Sequence, residues 1–196
     1  MKVTDPTTLI PIPSRTDAEL EEFLVFAICV AGKNARVVQK QLQEFWGFLC
    51  EGIPPQDQPT PLTMLSRLSM CEIRVLLSSF GIGCHTVKGR ALYELSRSRI
   101  DLRSCTPEQL ETIHGIGPKT SRFFIMYTQP GARVAALDTH ILRWLRDQGV
   151  DAPRQTPTGC KYRELEEEFI RRVPRGQSIA EFDLDLWLRY SRKVRV

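Results

Sequence analysis

Residues 110–145, LETIHGIGPKTSRFFIMYTQPGARVAALDTHILRWL, constrain this chain more than any other stretch. Just ahead, Thr106-Pro107-Glu108-Gln109 opens a helix: Thr suits the N-cap, Pro the first helical position, and Gln completes a capping box. His114-Gly115-Ile116-Gly117 breaks that helix, and Pro118-Lys119-Thr120-Ser121 starts another. Two helices joined by a tight glycine turn leave backbone N–H groups unpaired at a helix N-terminus. Such a place favours an anion, most often phosphate. After the Pro130-Gly131 turn, an apolar run over 134–137 leads to Asp138, the natural N-cap of a further helix over 139–147.

The rest of the composition sets bounds. With 196 residues the chain makes one domain, or two small lobes, and can bury a substantial core. A net charge of +4 and a pI near 8.8 are compatible with a polyanionic partner without requiring one. The cysteines at 29, 50, 71, 84, 105 and 160 are far apart and form no C-x-x-C pair. They suggest neither a zinc site nor a disulfide scaffold, and fit reduced thiols in the cytoplasm. No run reaches signal-peptide or membrane-span length, so a membrane location is not expected.

Helical patterns fill the remainder. Residues 1–16 are expected as an extended arm. From Asp17 a helix places Leu20, Phe23, Leu24, Ala27, Ile28 and Ala31 on one apolar face. Gly32-Lys33-Asn34 makes a turn before an amphipathic helix over 37–49, and residues 51–61, rich in proline, read as a linker. Further helices are expected over 62–68, over 73–80 after a Ser69–Glu72 capping box, and over 87–96. The last begins at a second Gly-x-Gly, Gly81-Ile82-Gly83, with Lys88 and Arg90 in its first turn. Cations there oppose the helix dipole, a conflict that a bound phosphate would relieve. Arg97, Arg99 and Arg103 either extend a phosphate track or form a solvated face. Two closing helices, over 162–173 and 178–190, precede a basic tail.

The 110–145 stretch resembles the helix-hairpin-helix/Gly-Pro-Asp superfamily of base-excision DNA glycosylases, the endonuclease III and 8-oxoguanine glycosylase relatives. The matching residues are Ile113, Gly115, Ile116, Gly117, Lys119, Thr120, Gly131, Leu137, Asp138, Thr139, His140 and Arg143. The resemblance implies an all-α, two-lobed fold with the active site in the interlobe cleft. An N-terminal arm (1–17) would pack on the second lobe. Residues 18–131 would form the hairpin lobe, and 132–196 the lobe with the essential carboxylate.

The implied chemistry uses two residues. Lys119 would be the nucleophile that attacks the sugar C1′ and forms a Schiff base, and Asp138 the carboxylate that stabilises charge there. Lys119 also reads as a phosphate-contacting lysine, and Asp138 as a helix cap. DNA contacts are expected from Gly115, Ile116, Gly117 and Thr120 in the hairpin, from Lys33 and Asn34, from Gly81, Gly83 and Lys88, and from His140. Lys33-Asn34 stands where relatives carry a side chain that fills the hole left by a flipped nucleotide. The alternative there is a surface turn with a helix-starting Asn. Phe26, Trp46, Tyr127, Trp144, Asp183 and Trp187 are candidates for the base pocket or, as aromatics at such spacings usually are, core.

Two departures from the family pattern stand out. His114 replaces the usual proline before Gly115, and the iron–sulfur cysteines are absent. No cluster and no metal site are therefore expected, apart from a structural monovalent cation at the hairpin. Double-stranded DNA is the implied partner, with a monomer in the cytoplasm, associated with DNA. The first expectation is a DNA repair glycosylase with AP lyase activity. Two others remain: a phage-type relative that modifies thymine-derived bases in DNA, and a DNA-binding module without catalysis.

Overall fold

The computed structural model describes residues 15–192, and the calls on the arm at 1–14 and the tail at 193–196 lie outside them. Among the described residues the chain is all-α, ten helices without a strand, and divides into two compact units after Ile116.

The first unit holds six helices. α1 (Asp17–Val30) opens on a capping box in which Thr16 N–H donates to Glu19 Oε2 at 2.7 Å and the Thr16 hydroxyl accepts from Glu19 N–H. The apolar face expected on one side proves too narrow. Val25, Phe26 and Cys29 are buried along with Leu20, Phe23, Leu24, Ala27 and Ile28, because α2, α3 and α5 enclose the helix. Burying side chains of this size contributes about 1.5–3 kcal/mol each, which makes α1 the core of the unit.

α2 (Ala35–Leu49) starts two residues earlier than its periodicity suggests, because Asn34 Oδ1 caps it, accepting from Arg36 N–H at 3.0 Å and Val37 N–H at 3.3 Å. It buries Val38, Leu42, Phe45 and Trp46, a 4-3-1 spacing that lines one helical face. The proline-rich segment that follows contains only a 3-10 turn at Pro55–Asp57. α3 (Pro61–Ser66) and α4 (Met70–Ser79) come next, the latter behind the expected Ser69–Glu72 capping box. α5 (His85–Leu95) packs on α4, α3 and α1, and α6 (Pro107–Glu111) begins at the expected Thr106–Gln109 box.

The second unit holds α7 (Pro118–Thr128), α8 (Thr139–Asp147), α9 (Gly159–Arg171) and α10 (Ile179–Arg192). Its core joins Leu137, Ile141, Leu142 and Leu145 to Tyr162, Leu165 and Phe169 of α9 and Phe182, Leu186 and Tyr190 of α10. Trp144 meets Phe169 and Phe182 edge-to-face while those two rings stack on each other, with centroids 5.3–5.6 Å apart. Edge-to-face geometry of this kind adds about 0.5–1.5 kcal/mol per pair beyond area burial. Trp144 is partly buried and packs against this core.

Candidate active site

Asp138 is placed by an unusual segment. Residues 134–137 are apolar and belong to no helix, and among the described residues they pair with no strand. Side chains complete their backbone instead. The Tyr162 hydroxyl donates to Ala135 C=O at 2.8 Å and accepts from Leu137 N–H at 3.0 Å. Ala135 N–H donates to Glu166 Oε1 at 2.8 Å, and the Thr156 hydroxyl donates to Leu137 C=O at 2.9 Å. Buried backbone groups need such partners. Glu166 is itself held by the Arg122 guanidinium of α7, with Nε 2.9 and 3.0 Å from its two oxygens. None of these supporting roles was assigned from sequence. The available signal was Glu166, a charged residue four positions after Tyr162 on the inward face of α9.

At the end of this braced segment Asp138 caps α8. Its Oδ1 accepts from His140 N–H at 2.8 Å and Ile141 N–H at 2.9 Å, and the residue is half-buried. His140, also half-buried, takes part through its backbone.

Lys119 stands in the first turn of α7, half-buried, its ammonium 5.0 Å from the centroid of the Phe123 ring. Asp183, on α10, lies within electrostatic reach of both Lys119 and Asp138. Burial and the Asp138 charge push the Asp183 carboxyl up to about 7, against the Tyr127 hydrogen bond and the Lys119 charge, which lower it. A cation, a half-buried carboxylate and a buried acid thus share one corner of the second unit. An amine beside carboxyl groups in partial shelter from water can serve as a nucleophile with charge stabilisation to hand.

The hairpin glycines are distinct in their needs. Gly115 has φ +86°, and a Cβ there would sit 2.7 Å from Val87 Cγ1, so only glycine fits. Gly117 caps α7 from an extended conformation, with open space around it. Ile116 is buried and its N–H is engaged by Ile113 C=O, so it acts as an apolar anchor for the turn rather than a donor. Thr120 is likewise buried. Before Gly115, His114 N–H donates to Glu94 Oε2 at 2.8 Å, a contact that, ahead of Arg90, holds Glu94 below the usual carboxylate range.

Lys88 corrects its expected role. It is 5% exposed, and its ammonium donates to Cys29 C=O at 2.6 Å. Cys29 lies in the last turn of α1, where carbonyls lack helical partners and the dipole is negative. The cation expected to meet phosphate at the start of its own helix instead caps the end of another. Phe26 and Trp46, 1% and 2% exposed, are core of the first unit.

Lys33 and the second glycine loop do come together. Lys33 is exposed, and its ammonium lies so close to Gly83 that a Cβ there would be 2.9 Å away. The Gln41 amide donates to Gly81 C=O at 2.9 Å on the same loop, and Asn34 is exposed beside Lys33 while its side chain caps α2. The six cysteines are free thiols, and among the described residues no three or more His, Cys, Asp or Glu side chains gather as metal ligands. That donor set does not fit a four-cysteine cluster. No helix among the described residues is long and apolar enough to cross a membrane.

The all-α fold is similar to that of solved DNA glycosylases. It is similar to the 8-oxoguanine glycosylase/lyase of Methanocaldococcus jannaschii bound to 8-oxoguanine DNA, with TM-score 0.67 and 21% identity over 93% of this chain and 86% of that one. The 8-oxoguanine DNA glycosylase of Thermotoga maritima matches with TM-score 0.61 and 23% identity, over 88% of this chain and 79% of its own. An endonuclease III–DNA complex matches with TM-score 0.63 and 16% identity, over 91% and 76%. No protein-family model matches the chain.

Proposed function

We propose that this chain is a DNA repair glycosylase with AP lyase activity, in which Lys119 is the nucleophile and Asp138 the carboxylate that serves it. One observation carries the reading: Lys119, at the head of α7, and Asp138, at the cap of α8, both act on the buried Asp183 carboxyl. The motif's two reactive groups therefore belong to one electrostatic neighbourhood. Support also comes from the shared fold, whose solved examples include a glycosylase/lyase and an endonuclease III, both with DNA.

The steps follow from the groups present. The neutral Lys119 amine forms a bond to C1′ of the flipped nucleotide, and the base departs with the electrons of the N-glycosidic bond. Asp138 uses Oδ1 for the helix cap, so Oδ2 is the oxygen directed to the sugar, where it offsets developing positive charge. Ring opening gives the Schiff base, loss of a C2′ proton expels the 3′ phosphate, and water releases the enzyme. Duplex DNA is the partner and a monomer the acting unit. The hairpin turn at Gly115–Gly117 and the Lys33–Gly83 corner are its phosphate contacts.

Borohydride trapping on duplex DNA with an abasic site, then on a panel of damaged and modified bases, tests this. A covalent adduct that Lys119→Gln abolishes and Asp138→Asn reduces supports the reading. DNA whose base changes mass without strand cutting would point to base modification, and salt-sensitive binding without covalent change to a binding module.

A further inference from the structure

The sequence places Arg90 in the first turn of its helix. α5 begins at His85, so Arg90 belongs to the second turn, and there it meets the hairpin. Its Nε donates to Glu94 Oε1 at 2.7 Å, and the other carboxylate oxygen, Oε2, accepts from His114 N–H at 2.8 Å. One carboxylate thus ties a guanidinium on α5 to the backbone of the turn. The turn also rests on α5: a Cβ at Gly115 would be 2.7 Å from Val87 Cγ1 and 3.7 Å from Ala91 Cβ. Val87, Arg90, Ala91 and Glu94 follow at helical spacing, so one face of α5 carries both the packing and the ion pair.

Along a helix, an acid four residues before a base pairs better than the reverse order found here. The Arg90–Glu94 pair is held regardless, because His114 N–H fixes the carboxylate from outside the helix. A proline at 114 would have no N–H to give, so the tie belongs to a chain with histidine there. What the pair leaves open suits an anion. Arg90 spends only Nε on Glu94; its side chain is 53% exposed, and no described residue accepts from its two Nη groups. The Gly115 N–H, one residue beyond the tie, likewise has no acceptor among the described residues. A guanidinium fixed at one nitrogen presents the other two in a plane, which matches two oxygens of a phosphate.

We propose that Arg90 is a further contact for DNA phosphate beside the hairpin turn, and that Glu94 is its positioning residue, holding the guanidinium in place against His114 N–H. The proposal rests on the reading of duplex DNA as the partner. A carboxylate near a polyanion repels it, so taking the Glu94 charge away would by simple electrostatics strengthen binding. A positioning carboxylate has the opposite sign: its loss frees Arg90 and weakens binding. Glutamine has one acceptor oxygen in place of two, so Glu94→Gln cannot serve Arg90 and His114 together.

Fluorescence anisotropy on a labelled duplex with a tetrahydrofuran abasic-site analogue, titrated with salt, tests this. The proteins are wild type, Arg90→Met, Glu94→Gln, the double variant and His114→Pro. Arg90→Met is expected to lower affinity about five- to tenfold in about 0.1 M salt and to reduce the slope of log K against log salt by about one. Glu94→Gln is expected to lower affinity by about threefold, and the Arg90→Met loss to shrink below about twofold in its background. His114→Pro breaks the tie from the side of the turn and is expected to give the same loss as Glu94→Gln. Arg90 is exposed, so Arg90→Met keeps the fold, and melting temperatures check every variant. An unchanged slope in Arg90→Met would overturn the contact. Glu94→Gln binding as tightly as wild type or tighter, or losses that simply add, would overturn the positioning role. Wild-type binding without salt dependence would instead overturn the DNA reading on which both rest.

Discussion

The Arg122 guanidinium and the Glu166 carboxylate meet at 2.9 Å inside the second unit, with both side chains under 10% exposed. The same carboxylate accepts Ala135 N–H, so this ion pair also braces the segment that ends in Asp138. Glu166→Leu is expected to destabilise the protein by about 3–5 kcal/mol, because it removes the carboxylate that faces a buried guanidinium. Arg122→Met/Glu166→Leu is expected to recover much of that loss while keeping activity low, since Ala135 N–H still lacks its acceptor. Urea unfolding of the single and double variants, beside a strand-cutting assay, checks both halves. A double variant as unstable as Glu166→Leu would show that the buried guanidinium is not what costs.

Tyr162 offers a finer cut. Its hydroxyl satisfies two buried backbone groups across the residue before Leu137. Tyr162→Phe keeps the ring in the core but leaves Ala135 C=O and Leu137 N–H unpaired. A loss of about 2–4 kcal/mol is expected from two orphaned groups. Amide hydrogen exchange should show Leu137 opening sooner than the core of α9, and catalytic turnover should fall more than substrate binding, since Asp138 follows directly.

Helix caps and box motifs were legible because the information is local. Thr106–Gln109, Ser69–Glu72 and Asp138 each occupy the position their side chains require, whatever surrounds them. The roles of Lys88 and Glu94 were not legible. Each is decided by a partner far away in sequence: Lys88 by the end of α1, Glu94 by the N–H of His114. Likewise the apolar run before Asp138 carries the composition of a strand, and partners distant in sequence, Tyr162 and Glu166 of α9 with Thr156, complete the backbone of a single unpaired segment. The proximity of Lys119 and Asp138 to Asp183 depends on where α10 returns, which no spacing within the motif reports.

Capping and catalysis can be separated at Asp138. Asp138→Asn retains an oxygen for the His140 and Ile141 N–H groups and should change stability by only a few tenths of a kcal/mol, whereas Asp138→Ala should cost about 1 kcal/mol. Both remove the carboxylate charge. If the charge serves the chemistry, the two variants lose strand cutting to a similar degree despite unequal stability. Activity that instead tracked melting temperature would reduce Asp138 to a cap.

Lys33 and Lys88 give opposite predictions for DNA. Lys33 is exposed beside Gly83, so Lys33→Met should lower affinity and reduce the slope of log K against log salt by about one. Lys88 is buried on Cys29 C=O, so Lys88→Met should leave that slope unchanged and act on stability alone, by about 1–2 kcal/mol at neutral pH. Burial holds the Lys88 ammonium below its usual range, with the nearby Lys33 charge acting the same way. The unfolded chain therefore binds this proton more tightly than the folded one. As pH rises from the folded value towards about 10.5, wild type should gain stability relative to Lys88→Met. Fluorescence-anisotropy salt titrations and urea unfolding, the latter followed from neutral to alkaline pH, decide the matter. A salt slope that fell for Lys88→Met would mean that this ammonium reaches phosphate after all.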